Sequence, residues 1–198
     1  PTIVQTTVWN EGSMKPRGYK GALKPGVAYC GHARNRHYES SSLWDYRAIT
    51  EEQIMKGNHG LDPLGGDLWM TKDERGKWVG GAWAACALGP GGCTKAMLGP
   101  TPEGAVATER YEALREGVQL CEAILFIQKG IDSGKLAADL ATRAHAVLDE
   151  RGKRLMDSWV SADKSGKTKF DPAIFSEKAM ERETELYAVA AEVAKTVK

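Results

Sequence analysis

The spacing of apolar residues between 111 and 125 limits what this chain can fold into more than any other feature. Tyr111, Leu114, Val118, Cys121 and Leu125 recur at steps of 3, 4, 3 and 4, which predicts a helix with one apolar stripe. Gly130 offers it a stop. A second helix is expected from about residue 134 to 159, with Leu136, Leu140, Ala144, Val147, Leu148, Leu155 and Trp159 as its apolar positions. The polar run 161–169 reads as a loop. Asp171-Pro172 then sets a capping side chain before a proline suited to a first helical turn. Leu186, Ala190, Val193 and Val197 carry a third helix at steps of 4, 3 and 4.

The chain ahead of residue 104 follows a different grammar. It holds five of the six tryptophans, whereas residues 104–198 are dominated by the helix formers Ala, Glu, Lys, Arg and Leu. Residues 2–9 are β-branched and apolar and predict a strand. The run GVAYCG (26–31) is a second short strand, residues 41–56 a helix ended by Gly57, and GLDPLGGDLW (60–69) a strand entering a loop. Residues 95–98 are a further short extended piece. Strand, helix, strand, loop, helix is α/β grammar. A closed eight-fold barrel needs about 250 residues. The expected fold class is therefore α/β, with material for about two or three of the eight units of a closed barrel.

Bulk composition excludes several partners. Lys plus Arg number 27 and Asp plus Glu 26, without a like-charge block of five, so charge implies neither nucleic acid nor a membrane surface. No apolar run approaches the length of a membrane span. The four cysteines show no CxxC spacing; Cys121 reads as a small buried hydrophobe, and a disulfide between Cys86 and Cys93 stays open. A nucleotide-binding glycine fingerprint and a serine nucleophile elbow are both missing, and no cofactor is expected. His32 and His37, with Glu39 near, lack a defined ligand geometry, and residues 163–171 carry lysines where a calcium loop needs carboxylates. No metal is expected.

The stretch GAVATERYEALREGVQLCEA (104–123) follows a Pro/Gly turn at Leu98-Gly99-Pro100 and carries Thr108, Arg110, Glu112, Leu114-Arg115-Glu116-Gly117 and Glu122. With GLDPLGGDLW before it, this segment resembles the last strands and final helix of glycoside-hydrolase-like barrel proteins, an uncharacterised family related to the β-N-acetylgalactosaminidases. The likeness covers about residues 26–160. It implies the C-terminal part of a (β/α)8-type barrel followed by a helical extension, divided into residues 1–130 and 131–198, a glycan partner, and a hydrolytic acid, an adjacent Asp-Glu pair at the end of a middle barrel strand. Here the adjacent pairs are Asp73-Glu74, in a polar loop, and Asp149-Glu150, in a helical stretch; neither follows an apolar strand. No catalytic residue is assigned, and the acid is expected outside this chain, in the rest of the same polypeptide or another subunit.

Barrel sites lie at the carboxyl ends of the strands. His32, Arg34, Arg36 and His37, after the second strand, are candidates for sugar hydroxyls or an anionic group, against a solvated loop. Asp62 and Asp67 accept from hydroxyls or cap turns. Trp69 and Trp78 stack on a pyranose face or pack in the core. The charges of 110–122 are expected to brace a helix rather than react. The alternative to glycan processing is a non-catalytic interaction protein that keeps the closing half of the barrel, with residues 171–198 facing a partner.

Overall fold

The computed structural model describes residues 3–4, 18–19, 28–32, 42–62, 71–79, 97–161 and 168–196. Strands β1 (Ile3–Val4), β2 (Ala28–His32) and β3 (Gly60–Asp62) form a parallel sheet in that order. Helix α1 (Leu43–Met55) crosses over from β2 to β3. Parallel strands cannot be joined by a tight turn, so this helix is what the pairing requires. The α/β grammar is present.

Ser42 starts α1 with a capping box. Its backbone N–H donates to Asp45 Oδ2 at 2.6 Å, and its hydroxyl receives the Asp45 N–H. From Ala48 to Met55 every side chain of α1 is buried. A helix covered on all sides carries polar groups only where partners await them.

After β3 come the antiparallel pairs β4 (Thr71–Lys72) with β5 (Trp78–Val79), and β6 (Leu98–Thr101) with β7 (Gly104–Ala107). Helix α2 (Glu109–Asp132) follows, capped by Thr108. It runs in the same direction as α1: Tyr46 clusters with Ala113 and Leu114, while Arg47 and Thr50 lie against Gly117 one turn on. A methyl built on Gly117 would stand 2.5 Å from Thr50 Oγ1 and 2.6 Å from the Arg47 carbonyl oxygen. Glycine lets the two backbones approach this closely.

Helix α3 (Ala138–Asp157), the hairpin β8 (Trp159–Ser161) and β9 (Thr168–Phe170), α4 (Pro172–Ser176) and α5 (Ala179–Thr196) complete the chain. One core holds Ala48, Ile124, Ile127, Leu148, Leu155 and Leu186, so the helices on both sides of residue 130 share it. Each such isoleucine or leucine side chain stabilises by about 1.5–3 kcal/mol on burial. Trp44, Phe175, Phe170 and Trp159 continue it as a chain of edge-on and tilted aromatic contacts.

Several expectations need correction. Tyr111 and Val118 are exposed; the buried face of α2 runs through Leu114, Gly117, Cys121, Ile124 and Gln128. Gly130 does not stop α2 but lies inside it, where an added methyl would stand 2.5 Å from Val193. The helix ends nearer Gly134, whose φ of 67° suits glycine. The run expected as a loop, 161–169, is bounded by the two strands of a hairpin. The helix after Asp171 is broken in two beside Lys178, at φ 53°. Residues 63–70 and 80–96 lie outside the described residues, and with them the Cys86–Cys93 question.

Candidate functional site

The register of the parallel sheet pairs Cys30 with Gly60, Gly31 with Leu61 and His32 with Asp62. His32 and Asp62 are the last residues of adjacent parallel strands, so two candidates from separate runs meet at one sheet edge. This is the carboxyl edge, where ligands of α/β proteins bind. Arg34, Arg36, His37, Asp67 and Trp69 lie outside the described residues. Trp78 falls on β5, opposite Lys72, in a separate two-stranded ladder.

Because α1 enters from the end of β2 and leaves to the start of β3, its N-terminus lies at that same edge. The N-terminus of α2, parallel to it, does too. Thr108 joins the hairpin to α2: its hydroxyl donates to the Met97 carbonyl at 2.8 Å, and its oxygen receives the Tyr111 N–H. All of β7 is exposed, Val106 by 48%. Met97, at the base of the hairpin, is buried with Tyr46, Ile49, Ala113 and Leu114.

Tyr46 is itself buried, with its phenol oxygen next to the Arg110 guanidinium and no carboxylate or carbonyl to accept its proton among the described residues. Burial raises its pKa, and the neighbouring Arg110 opposes that rise. Among the described residues Arg110 has no carboxylate partner, whereas Arg47, Arg115, Arg143, Arg151, Arg154 and Arg182 each hold one. Periodicity reads Tyr46 as core and Arg110 as a helix charge; only the packing of α1 on α2 brings them together.

The other helix charges hold ion pairs or backbone carbonyls. Arg47 on α1 reaches Glu116 on α2 at 3.3 Å and Glu183 on α5 at 2.7 Å, with its guanidinium 4.7 Å from the Trp44 ring centre. Arg115 pairs with Glu112 on the exposed face of α2. Arg182 donates to the carbonyls of Phe175 and Glu177 and so closes the end of α4. Deeper still, Arg151 grips Glu51, which also accepts from the Tyr19 hydroxyl at 2.9 Å. Burial pulls the Arg151 pKa down, but the charge and hydrogen bonds of Glu51 outweigh it and leave it raised.

Neither adjacent acid pair has the setting of a catalytic dyad. Asp73 Oδ1 accepts the backbone N–H groups of Arg75 and Lys77, the role of a turn cap, and Asp149 and Glu150 are exposed on α3. Among the described residues no group of three His, Cys, Asp or Glu side chains could hold a metal. No described helix is long and apolar enough to cross a membrane. A cleft of about 400 Å³, lined by Tyr19, Met55, Gln128, His145, Asp149 and Lys153, opens beside the C-terminal end of α1, away from the strand ends. No family model, curated protein or solved structure matches this chain.

Proposed function

We infer that this chain is the closing part of a glycoside-hydrolase-like (β/α) barrel protein and takes a glycan at the carboxyl edge of its parallel strands. The observation that carries the reading is the pairing of His32 with Asp62 at the ends of β2 and β3. Histidine and aspartate, the residue types at these two strand ends, are ones that can donate to and accept from sugar hydroxyls. The helix α1 that joins the parallel strands β2 and β3 supports it, because a strand–helix–strand crossover is the repeating unit of such a barrel. The acid that would protonate a leaving group lies outside this chain, in the rest of the same polypeptide or another subunit.

Calorimetric titration with oligosaccharides containing N-acetylhexosamine tests this reading. The expected result is binding that weakens at least tenfold in His32→Ala and in Asp62→Asn. Absence of binding to any glycan overturns it. Turnover of an aryl N-acetylhexosaminide by this chain alone contradicts the placing of the acid.

One observation favours the second reading, an interaction protein without catalysis. Met180 and Tyr187, seven apart on α5, are 74% and 45% exposed. That apolar stripe suits a protein partner. Light scattering that shows a stable oligomer, dispersed by Met180→Lys with Tyr187→Lys, in a chain that binds no glycan, favours this alternative.

A further inference from the structure

We propose that the cleft beside the carboxyl end of α1 binds an arylalkyl amine, with its ring on a methionine floor and its ammonium on Asp149. This site is separate from the strand ends and does not depend on the glycan reading. Its volume of about 400 Å³ lies within the range of small-molecule pockets, about 300–1,000 Å³. Tyr19, Met55, Leu148 and Met156 make the floor, and the first three are buried. Gly152 lies among them inside α3, where glycine is a poor helix former. A methyl built on it would stand 3.0 Å from Met55 Cε and 3.9 Å from the Tyr19 hydroxyl, so the missing side chain is what leaves the Met55 methyl its place at the floor. Thioethers are soft, polarizable partners of aromatic rings. Two of them beside a tyrosine ring suit a flat aromatic body.

The polar side chains of the cleft specify the other end of the ligand. Three of them are already committed: the Tyr19 hydroxyl donates to Glu51 at 2.9 Å, the Gln128 amide to Asp132 at 3.0 Å, and the Lys153 ammonium to Asp157 at 2.5 Å. Lys153 stands one turn beyond Asp149 on α3, where it could pair with it, yet it turns to the next acid along. Asp149 is left at the exposed rim as a carboxylate with no cation among the described residues. His145, one turn earlier, holds no partner there either, and its ring nitrogen offers a second acceptor. A carboxylate above an apolar floor suits an amphipathic cation, whose charge stays at the wet rim while its ring is buried. The field of α1 agrees. That helix ends at the cleft with Met55 and has no basic residue in its last turn, and Lys56, its C-cap, is held by Glu52. The carboxyl end of a helix favours positive charge.

Three probes share one ring on a two-carbon arm and differ at its end: tryptamine carries an ammonium, tryptophol a hydroxyl and indole-3-propionate a carboxylate. Each is titrated calorimetrically into the whole chain. Tryptamine is expected to bind about tenfold more tightly than tryptophol, and indole-3-propionate most weakly of the three. Asp149→Asn removes the advantage of the amine and leaves tryptophol binding unchanged. Asp149 holds no partner among the described residues, so this variant should melt with the parent, which a structural role would not allow. Nuclear Overhauser contacts from the indole protons to the methyl groups of Met55 and Met156 locate the ring on the floor. Equal affinity for amine and alcohol, an amine preference that survives Asp149→Asn, ring contacts confined to other methyl groups, or no binding of tryptamine overturns the proposal. The glycan reading stands or falls separately, because its titrations address His32 and Asp62.

Discussion

Arg151 and Glu51, a hundred residues apart, meet in a two-pronged ion pair inside the helical layer. Arg151 Nε lies 3.2 Å from Glu51 Oε1 and Nη2 2.6 Å from Oε2, with the side chains 6% and 2% exposed. Glu51 is on the all-round buried helix between the two strands of the candidate site, and the pair ties that helix to α3. A buried charge is tolerated only while its partner stays. Removing one member, as in Arg151→Met or Glu51→Gln, should cost about 3–5 kcal/mol, whereas Arg151→Met with Glu51→Leu should cost much less. Urea unfolding of the three variants measures the difference. Equal losses in single and double variants would contradict it.

Gly117 is the contact point of the parallel helices α1 and α2. The added methyl of Gly117→Ala meets the Arg47 backbone carbonyl, which cannot swing aside as a side chain can. The variant should lose about 1–3 kcal/mol through overpacking. Gly134→Ala meets nothing within 4 Å, and its cost of about 1–2 kcal/mol comes from the φ of 67° alone. Gly134→Asn, which tolerates that conformation, should recover most of its loss, while Gly117→Asn should be worse than Gly117→Ala. Denaturation midpoints of the four variants check this contrast.

Cys121 packs in the core, where burial, and then the charge of Glu51, push its thiol up to about 12. The thiolate is the reacting species. At pH 8 its fraction is about a thousandfold below that of an ordinary cysteine with a pKa of about 8.5. Alkylation followed by peptide mapping should leave Cys121 unmodified in the folded chain and label it fully in denaturant. Rapid labelling under native conditions would show that the core opens at Cys121.

The Tyr19 phenol is held well above its usual value of 10.0 by burial and then by the charge of Glu51. The unfolded chain therefore releases this proton first as pH rises. Stability from this group is complete below pH 10.0 and falls from there upward, because the unfolded state then binds fewer protons than the folded one. Urea midpoints between pH 9 and pH 11 should decline, and Tyr19→Phe should flatten part of that decline. A midpoint independent of pH across this range would contradict the assignment.

Glu192 pairs with Arg143 on the surface between α5 and α3, and hydrogen bonds from Arg143, followed by its charge, depress the carboxyl pKa. Its contribution is present above the ordinary carboxylate range and is lost as pH falls through the depressed value. Both side chains are solvent-facing, so added salt should screen most of it. Arg143→Ala is expected to leave stability within experimental error in high salt.

Periodicity and capping chemistry made the helices legible, because both are local. Asp171 before Pro172 announces one helix start, and the apolar positions of α3 (Leu140, Ala144, Val147, Leu148, Leu155) are all buried, whereas the caps at Ser42 with Asp45 and at Thr108 showed only in the structure. The short runs around residues 30 and 61 were equally readable as strands. Reading α2 by spacing alone misassigned Tyr111 and Val118, since a helix contacted by α1, α3 and α5 presents a broad buried face that several stripes can match.

What the sequence determined by itself is thus the main helices, the two short strands around residues 30 and 61, and the absence of nucleotide or nucleophile motifs; the three antiparallel hairpins came only with the structure. Tertiary structure alone decided their partnerships. Nothing local to Glu51 or Arg151 announces the other, because an ion pair across a hundred residues is set by how α1 and α3 pack. The same holds for His32 opposite Asp62, which depends on the register of two parallel strands, and for Tyr46 clustered with Ala113 and Leu114, which depends on how closely α1 and α2 approach at Gly117. Each is a contact whose energy belongs to the assembled layer, so it exists only once the chain has folded.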